Sequence, residues 1–311
     1  MKIQIKPTSE QVGHWITNFV PSKDLFFIED QHLEIFKDAL KGVLIIPKEE
    51  FVNHSSYQQI EFVNSYMYWT LSKRITFVIV ANADWLPNLP SPIRKQLLEL
   101  QLEMTTGLTI PLSILETVEW IPEEFIVNRH HNSNAFFNHP TVVDEQQFVL
   151  LRAGLWQSLP QEIQTNIVTA YAKEVDDWES YAIPDDTPLH LQAYANQFTT
   201  IAGSNCLAAT LYAINMESWI LEEWVHPETF LTTLAQCEYV LVQDDMQNGD
   251  VVTWVNADQV VQHASYSIGN GLYFNKSGQS FFEPWKIVRF DQINTVWENC
   301  EVQIYRKINA L

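Results

Sequence analysis

A cysteine, a histidine and an asparagine have the residue types and spacing of a nucleophilic site. Cys206 follows a turn of small residues and begins an apolar pattern that predicts a helix. His263 and, twelve residues later, Asn275 lie on the two arms of a predicted hairpin. A thiol at a helix N-terminus, an imidazole and a polar group that orients it are the parts of a cysteine-nucleophile acyl-transfer site. The sequence therefore predicts Cys206 as nucleophile, His263 as base and Asn275 as orienting residue.

Activation of the thiol requires a lowered pKa, since a free cysteine is mostly protonated at neutral pH. The helix dipole and a nearby imidazolium are both expected to lower the pKa of Cys206. No Lys or Arg occurs between Lys173 and Lys276. We therefore expect His263 to supply most of the positive charge near the sulfur.

The three cysteines are not equivalent. Ser204 or Asn205 can cap a helix that starts at Cys206, which leaves the N–H of Cys206 to face an oxyanion. Cys237 and Cys300 lie in apolar contexts and are predicted to be core residues. The wide spacing and odd number indicate neither a disulfide framework nor a metal pair.

The register of the hairpin decides which polar residues share a face. A three-residue loop at 269–271 places Ser265 opposite Asn275, so that His263, Ser265 and Asn275 lie on one face. A two-residue Asn-Gly turn reverses the parity and moves Asn275 to the other face. Both turns are compatible with the sequence.

The composition and net charge of the chain limit the classes of partner that we expect. The chain has 311 residues with 18 Lys and Arg against 38 Asp and Glu, a net charge of −20. This charge repels nucleic acid and anionic lipid, so neither is expected as a partner. A neutral amide or a substrate with a free amine is expected instead of an anionic one. No signal peptide or membrane span is predicted, which favours a cytoplasmic protein.

Metal and cofactor binding are not predicted. His130, His131 and His139 lie close together, but they lack acidic or cysteine ligands at suitable spacing and are typical of a polar surface loop. The oligomeric state has no signal in the sequence.

The order of helix and strand patterns predicts two domains. Residues 1–140 favour a mixed α/β domain of unknown function, with a linker near 128–140. Residues 145–311 favour an α+β domain in which helices pack on an antiparallel sheet. Its predicted helices include 144–156, 188–198 and 205–215, and its predicted strands are 238–243, 250–255, 260–268, 272–276 and 301–307.

Part of the chain resembles the NlpC/P60 branch of papain-like cysteine peptidases. The resemblance rests on Gly249-Asp250 at a strand start, on His263 followed by Ser265 and a Gly-Asn-Gly turn, and on Asn275. It implies a papain-like, NlpC/P60-like fold for the C-terminal domain and the catalytic roles given above for Cys206, His263 and Asn275.

The resemblance covers about 80 residues and differs at the nucleophile. The family usually has Asp-Cys-Ser-Gly where this chain has Asn205-Cys206-Leu207-Ala208. The resemblance also implies that Tyr194, twelve residues before the cysteine, lines the site. We expect Tyr194, Ser204 and Ser265 to contact substrate.

These patterns together predict a cysteine peptidase or amidase. The expected reaction is cleavage of an amide or peptide bond in a small, non-anionic substrate, such as a wall-derived peptide, through a thioester. Two alternatives remain open: an acyltransferase on the same scaffold, and a non-catalytic binding or immunity-type module that retains the fold.

Overall fold

The computed structural model describes residues 1–116, 118, 120–128 and 146–308. The chain forms two compact units, each described here by itself. The C-terminal unit comprises Met1–Gln11 and Val175–Leu311, and the N-terminal unit comprises Val12–Glu174. The predicted linker and the boundary at 140–145 lie outside the described residues, except for Asn128. The division in the structure is at other positions, since residues 146–174 belong to the N-terminal unit.

Both units are mixed α/β structures with antiparallel strand pairing. The strands are β1 (Lys2–Gln4), β2 (Lys23–Ile28), β3 (Leu44–Pro47), β4 (Phe77–Asn82), β5 (Thr109–Pro111), β6 (Ile126–Asn128), β7 (Gln147–Leu150), β8 (Glu179–Tyr181), β9 (Tyr239–Val242), β10 (Val251–Val255), β11 (Val261–Gly269), β12 (Leu272–Lys276), β13 (Trp285–Arg289) and β14 (Glu301–Lys307).

Helices alternate with these strands in both units. They are α1 (Ser9–Asn18), α2 (Asp30–Ile35), α3 (Lys48–Asn53), α4 (Ile60–Ser65), α5 (Trp85–Asn88), α6 (Ser91–Met104), α7 (Ala153–Ser158), α8 (Gln161–Val175), α9 (Leu189–Gln192), α10 (Cys206–Asn215), α11 (Pro227–Gln236) and α12 (Phe290–Val296). Short 3-10 helices lie at Ser55–Tyr57, Tyr68–Thr70, Leu112–Leu115, Glu123–Phe125 and Ser218–Glu222.

The N-terminal unit contains two small antiparallel sheets in its described part, with strand orders β2-β4-β3 and β5-β7-β6. The predicted helix 144–156 is correct only in its last part, since residues 147–150 form β7 and residues 153–156 belong to α7. The strand β7 lies between two neighbouring strands, and its Phe148, Val149 and Leu150 are buried. A continuous apolar run buried on both faces fits a central strand as well as a helix, so periodicity alone does not separate them.

The C-terminal unit is built on an antiparallel sheet with strand order β13-β12-β11-β10-β14-β9 among the described residues. The predicted strands match β9 to β12 and β14, whereas β13 was not predicted. The helix α10 packs against β11 and β12 at the middle of this sheet. The sheet and this helix position every predicted site residue except Tyr194 and Ser204.

The helix α10 is apolar on all sides, which is typical of a helix enclosed by its own domain. Asn205 caps it by accepting a hydrogen bond from the Ala208 N–H at 3.0 Å, and its amide donates to the Val225 carbonyl at 2.7 Å. The helix therefore starts at Cys206 and not earlier. Of the two predicted caps, the structure uses Asn205.

The segment that precedes this helix is less helical than predicted. Only Leu189–Gln192 of the predicted helix 188–198 forms α9. Asn196 has a left-handed backbone with φ of 64°, and its N–H donates to the Trp285 carbonyl at 2.6 Å. Pairing with the end of the sheet replaces the helical hydrogen bonds there.

The hairpin of β11 and β12 combines a two-residue turn with a bulge. Asn270 and Gly271 both have positive φ, 53° and 68°, as the tight hairpin turn with two left-handed residues requires. The register shifts by one residue between Ser267 and Gly269. The bulge thus restores the parity that a two-residue turn alone reverses. Of the two turns compatible with the sequence, the structure has the two-residue Asn-Gly turn, and because of the bulge Ser265 still lies across from Asn275.

Candidate functional site

A buried histidine is held by a neighbouring asparagine. The Nε2 of His263 lies 2.8 Å from the Oδ1 of Asn275. The same oxygen accepts a hydrogen bond from the Ser265 hydroxyl at 2.5 Å. All three side chains are buried. Side chains two residues apart on a strand share a face, which explains why β11 presents both His263 and Ser265 to Asn275.

The hydrogen bonds define the tautomer of the ring. Since the Asn275 oxygen is an acceptor, the Nε2 of His263 must carry the proton. The Nδ1 of a neutral ring then has a free lone pair. This Nδ1 is buried and has no hydrogen-bond partner in the part of the chain that the structure describes. The arrangement leaves a basic nitrogen available to take a proton.

Two tryptophans pack around the His263 ring. Trp297 stacks on it with a centroid separation of 5.3 Å and an interplanar angle of 19°. Trp254 contacts it at 5.5 Å with a tilt of 58°. These contacts fix the orientation of the ring and exclude water from it. No sequence pattern connects either tryptophan with the histidine.

Burial keeps the imidazole neutral. It lowers the pKa of His263 to about 4, and the hydrogen bond to Asn275 opposes this shift. At neutral pH the ring is a base and not a cation. The predicted imidazolium that would lower the pKa of Cys206 is therefore absent.

The thiol of Cys206 lies at the N-terminus of α10, in a cluster with Leu207, Val261 and Ala264. Burial raises the pKa of Cys206 to about 11, contrary to the predicted lowering. The backbone N–H groups of Ala264, Leu207 and Cys206 and the charge of Lys276 act in the opposite direction. Desolvation of the thiolate exceeds these contributions in the resting structure.

The structure brings His263, Ser265 and Asn275 into one hydrogen-bonded group, and Cys206 to the same strand. The N–H of Ala264 that acts on the thiol belongs to the peptide group joining Ala264 to His263. No hydrogen bond joins the Cys206 sulfur to Nδ1 of His263 among the described residues, since that nitrogen has no partner. The Ala264 side chain packs with Cys206, whereas the His263 ring packs with the tryptophans. Since successive side chains of a strand point to opposite faces, Cys206 and the His263 ring lie on opposite faces of β11, and the structure does not bring the predicted nucleophile and base together.

The remaining predicted substrate residues have different surroundings. Ser204 is fully buried, and its hydroxyl has no hydrogen-bond partner in the described structure. Tyr194 packs edge-on against Tyr212 at 5.2 Å and Trp285 at 5.6 Å. The contacts of Tyr194 are thus those of an aromatic core residue, while Ser204 has an unused polar group two residues before the cysteine.

The Gly249-Asp250 pair anchors the start of β10. Gly249 has φ of 89°, which favours glycine. Asp250 is buried and accepts two hydrogen bonds from Arg306 of β14, at 2.9 and 2.8 Å. This pair therefore fastens two adjacent strands of the sheet and lies outside the chemistry of the site.

Cys237 and Cys300 are half-buried, which is more exposed than core residues would be. The Cys237 thiol donates to the Asn215 Oδ1 at 2.9 Å, and Cys300 packs at the edge of an apolar cluster. Neither joins the group around His263.

Other features of the described residues do not overlap this site. No group of three or more His, Cys, Asp or Glu side chains suited to a metal occurs in them, and the three histidines near residue 130 lie outside them. A groove of about 670 Å³ in the C-terminal unit is lined in part by Trp219, Trp224 and Glu217. Among the described helices, none has the length and apolar character needed to span a membrane.

Comparison with known proteins gives no assignment. No family model, curated protein or solved structure matches the chain. The function must be argued from the geometry of the site itself.

Proposed function

We propose that the C-terminal unit is a non-catalytic binding module that retains the polar residues of a cysteine-nucleophile site without bringing them together. The observation that carries the proposal is that Cys206 and the His263 ring lie on opposite faces of β11. Ala264 packs with Cys206, whereas His263, its neighbour on the strand, packs with Trp254 and Trp297. Successive side chains of a strand point to opposite faces, so the His263 ring is directed away from the sulfur. In this module the histidine group stabilises the sheet.

The environment of the thiol also supports this proposal. Cys206 is buried, and the pKa of its thiol is raised, whereas a catalytic cysteine usually has a lowered pKa.

A papain-like cysteine hydrolase that cleaves an amide or peptide bond in a small, non-anionic substrate is the second candidate. The observation that favours it is the His263 ring, bonded through Nε2 to Asn275, with an unpartnered Nδ1. A structural histidine normally uses both ring nitrogens or exposes one to water.

The hydrolase requires β11 to turn His263 toward Cys206 before the reaction. The Cys206 thiol then transfers its proton to Nδ1, and the thiolate attacks the substrate carbonyl carbon. N–H groups at the start of α10 stabilise the oxyanion. Nδ1 returns the proton to the leaving amine as the C–N bond breaks, and water, deprotonated by the same nitrogen, releases the acid from the resulting thioester. The two candidates differ in whether His263 controls the reactivity of Cys206.

Alkylation by iodoacetamide at pH 7, followed by peptide mapping, separates them. Cys237 and Cys300 are internal references in the same molecule. The hydrolase predicts that His263→Ala slows alkylation of Cys206 by about tenfold or more, which corresponds to one unit of thiol pKa. The exposed His226→Ala is the matched control and should leave the rate unchanged. An equal rate in wild type and His263→Ala would contradict the hydrolase.

Acylation gives the second readout. The hydrolase should turn over a generic donor such as p-nitrophenyl acetate through acetylated Cys206 and lose this turnover in Cys206→Ala. A binding module should release p-nitrophenol at the same rate in both proteins.

A further inference from the structure

Lys276 lies on the side of β12 that faces the cysteine helix. Phe274, two residues earlier, packs in one cluster with Ala209 and Tyr212 of α10. Alternate residues of a strand share a face, so Lys276 is on the same side as Phe274, and Asn275 is on the other. The end of β12 therefore provides Asn275 to the histidine and Lys276 to the helix that begins at Cys206.

The Lys276 ammonium is buried and held by backbone oxygens. Its side chain is 0% exposed, and Nζ donates to the carbonyls of Gly278 and Ser280, both at 2.8 Å. In the described part of the chain no carboxylate lies within ion-pair distance of it. The two carbonyls orient the ammonium, and the nearby carboxylates of Glu283 and Asp176 favour its protonated form.

The loop that holds Lys276 also holds the segment leading to Cys206. The N–H of Gly203 donates to the Gln279 carbonyl at 2.7 Å, in the same loop as Gly278 and Ser280. Ser204, the next residue, is buried with an unpartnered hydroxyl. The ammonium and the approach to the cysteine are therefore fixed to one short loop.

The charged groups around Lys276 set its protonation. Burial lowers the pKa of Lys276 to about 8, the nearby Lys286 also lowers it, and Glu283, Asp176 and Cys206 raise it. The ammonium thus remains largely protonated at pH 7. Its charge acts on the Cys206 thiol and favours the thiolate.

We propose that Lys276 is the fixed cation of this site and stabilises the thiolate of Cys206. The geometry assigns it the electrostatic role that an imidazolium has in an ion-paired cysteine site, because the neutral His263 ring lies on the other face of the sheet. This inference goes beyond the proposed function and does not depend on a reaction at Cys206. Lys276 acts on the charge of the sulfur and does not itself exchange a proton with it.

The test is the pH dependence of Cys206 alkylation by iodoacetamide between pH 5 and 10, in the full chain. Lys276→Met is expected to slow alkylation at pH 7 by about tenfold and to raise the apparent pKa of the thiol. Lys276→Arg keeps the charge and the donors. It should retain the rate at pH 7 and extend the cation's effect above pH 8, where the wild-type ammonium loses its proton. The exposed Lys307→Met is the control and should match the wild type.

Superimposable pH profiles for wild type, Lys276→Met and Lys276→Arg would overturn the inference. If His263→Ala slows alkylation while both Lys276 variants match the wild type, the role of Lys276 fails and the binding module is contradicted as well. If Lys276→Met slows alkylation and His263→Ala has no effect, both the role of Lys276 and the binding module are supported. Should Lys276→Met not fold, as judged by circular dichroism, the pH profile of Lys276→Arg decides, since an unchanged alkaline limb there contradicts a charge effect.

Discussion

Each unit of the chain buries a polar cluster with unpartnered atoms, but the two clusters differ in charge. In the C-terminal unit His263 is neutral and its unpartnered atom, Nδ1, is a base. In the N-terminal unit Asp24 and Arg152 are fully buried, and Tyr66 lies beside the Arg152 guanidinium at 5.8 Å. The neutral cluster has a free lone pair on Nδ1 of His263. In the charged cluster the Arg152 guanidinium acts on the Asp24 carboxylate and opposes the effect of burial on its pKa.

The contacts of the charged cluster are structural. The Asp24 Oδ1 accepts the N–H of Ala153, the first residue of α7, at 2.8 Å. Arg152 donates to the Leu151 carbonyl at 2.6 Å and lies over the Phe26 ring at 5.4 Å. Asp24 thus fastens β2 to the start of a helix far away in sequence. The two clusters show that neither the burial of a titratable group nor an unpartnered polar atom by itself indicates catalysis, since Asp24 and Arg152 also have unpartnered atoms among the described residues.

The largest effect is expected when the charged cluster loses its cation. Burial raises the pKa of Asp24 to about 6, and Arg152 opposes this shift. Arg152→Met leaves the Asp24 carboxylate uncompensated and should lower the free energy of unfolding at pH 7 by about 3–5 kcal/mol. Urea denaturation measures this loss. The exposed Lys41→Met is the control, with an expected change within about 0.5 kcal/mol.

The double variant Arg152→Met with Asp24→Asn tests the cause. Asn retains the oxygen that accepts the Ala153 N–H but carries no charge, so most of the lost stability should return. A double variant as unstable as Arg152→Met alone would show that packing of the guanidinium, and not charge, is responsible.

The contrast also shows what the sequence reveals. The strands around His263 were predictable because β-branched and aromatic residues alternate with polar ones between glycine turns. The shared face of His263 and Asn275 depends on a bulge at Ile268, which no residue pattern specifies. The buried pair of Asp24 and Arg152 joins residues more than a hundred positions apart, and such pairing has no local signal.

The electrostatics of the site were the least predictable part. Helix position and a neighbouring histidine predicted a lowered pKa for Cys206, but desolvation depends on how many side chains cover the sulfur. In the sequence, Lys276 is only the first cationic residue after a long stretch without Lys or Arg. Its role follows from strand alternation and from a loop whose carbonyls turn inward, which only the fold displays.

The second effect concerns acid stability of the neutral cluster. The pKa of His263 is about 4 in the folded chain and about 6.5 when unfolded. Its neutral burial contributes stability that is fully present above pH 6.5 and is lost as the pH falls through 4. The free energy of unfolding of wild type and of His263→Gln is measured by urea denaturation at pH 7 and at pH 4. Relative to wild type, the variant should gain about 3 kcal/mol of this free energy between pH 7 and pH 4. A difference that is constant over this range would mean that the ring is not desolvated.

The third effect is a pH dependence of stability with the opposite sign, and it comes from Asp24 in the charged cluster. The folded-state pKa of Asp24 is raised to about 6, above its unfolded value near 3.9. Its contribution is therefore full below pH 3.9 and is lost as the pH rises through 6. Asp24→Asn should match the wild type at pH 3.5 and become more stable than it by about 3 kcal/mol at pH 7. The opposite result is a variant that loses stability relative to wild type when the pH is raised from 3.5 to 7. It would mean that Arg152 stabilises the Asp24 carboxylate more than burial destabilises it.

The smallest effect separates stability from reactivity within the comparison. Ser265 donates to Asn275 in the C-terminal unit, and Ser65 donates to the Phe19 carbonyl at 3.0 Å in the N-terminal unit. Replacement of either serine by Ala removes one hydrogen bond, so each should lower the free energy of unfolding by about 1 kcal/mol. Because the group around His263 lies on the other face of β11 from Cys206, neither variant should slow alkylation of Cys206. Slower alkylation in Ser265→Ala alone would show that the His263 group acts on the thiol, as the hydrolase requires.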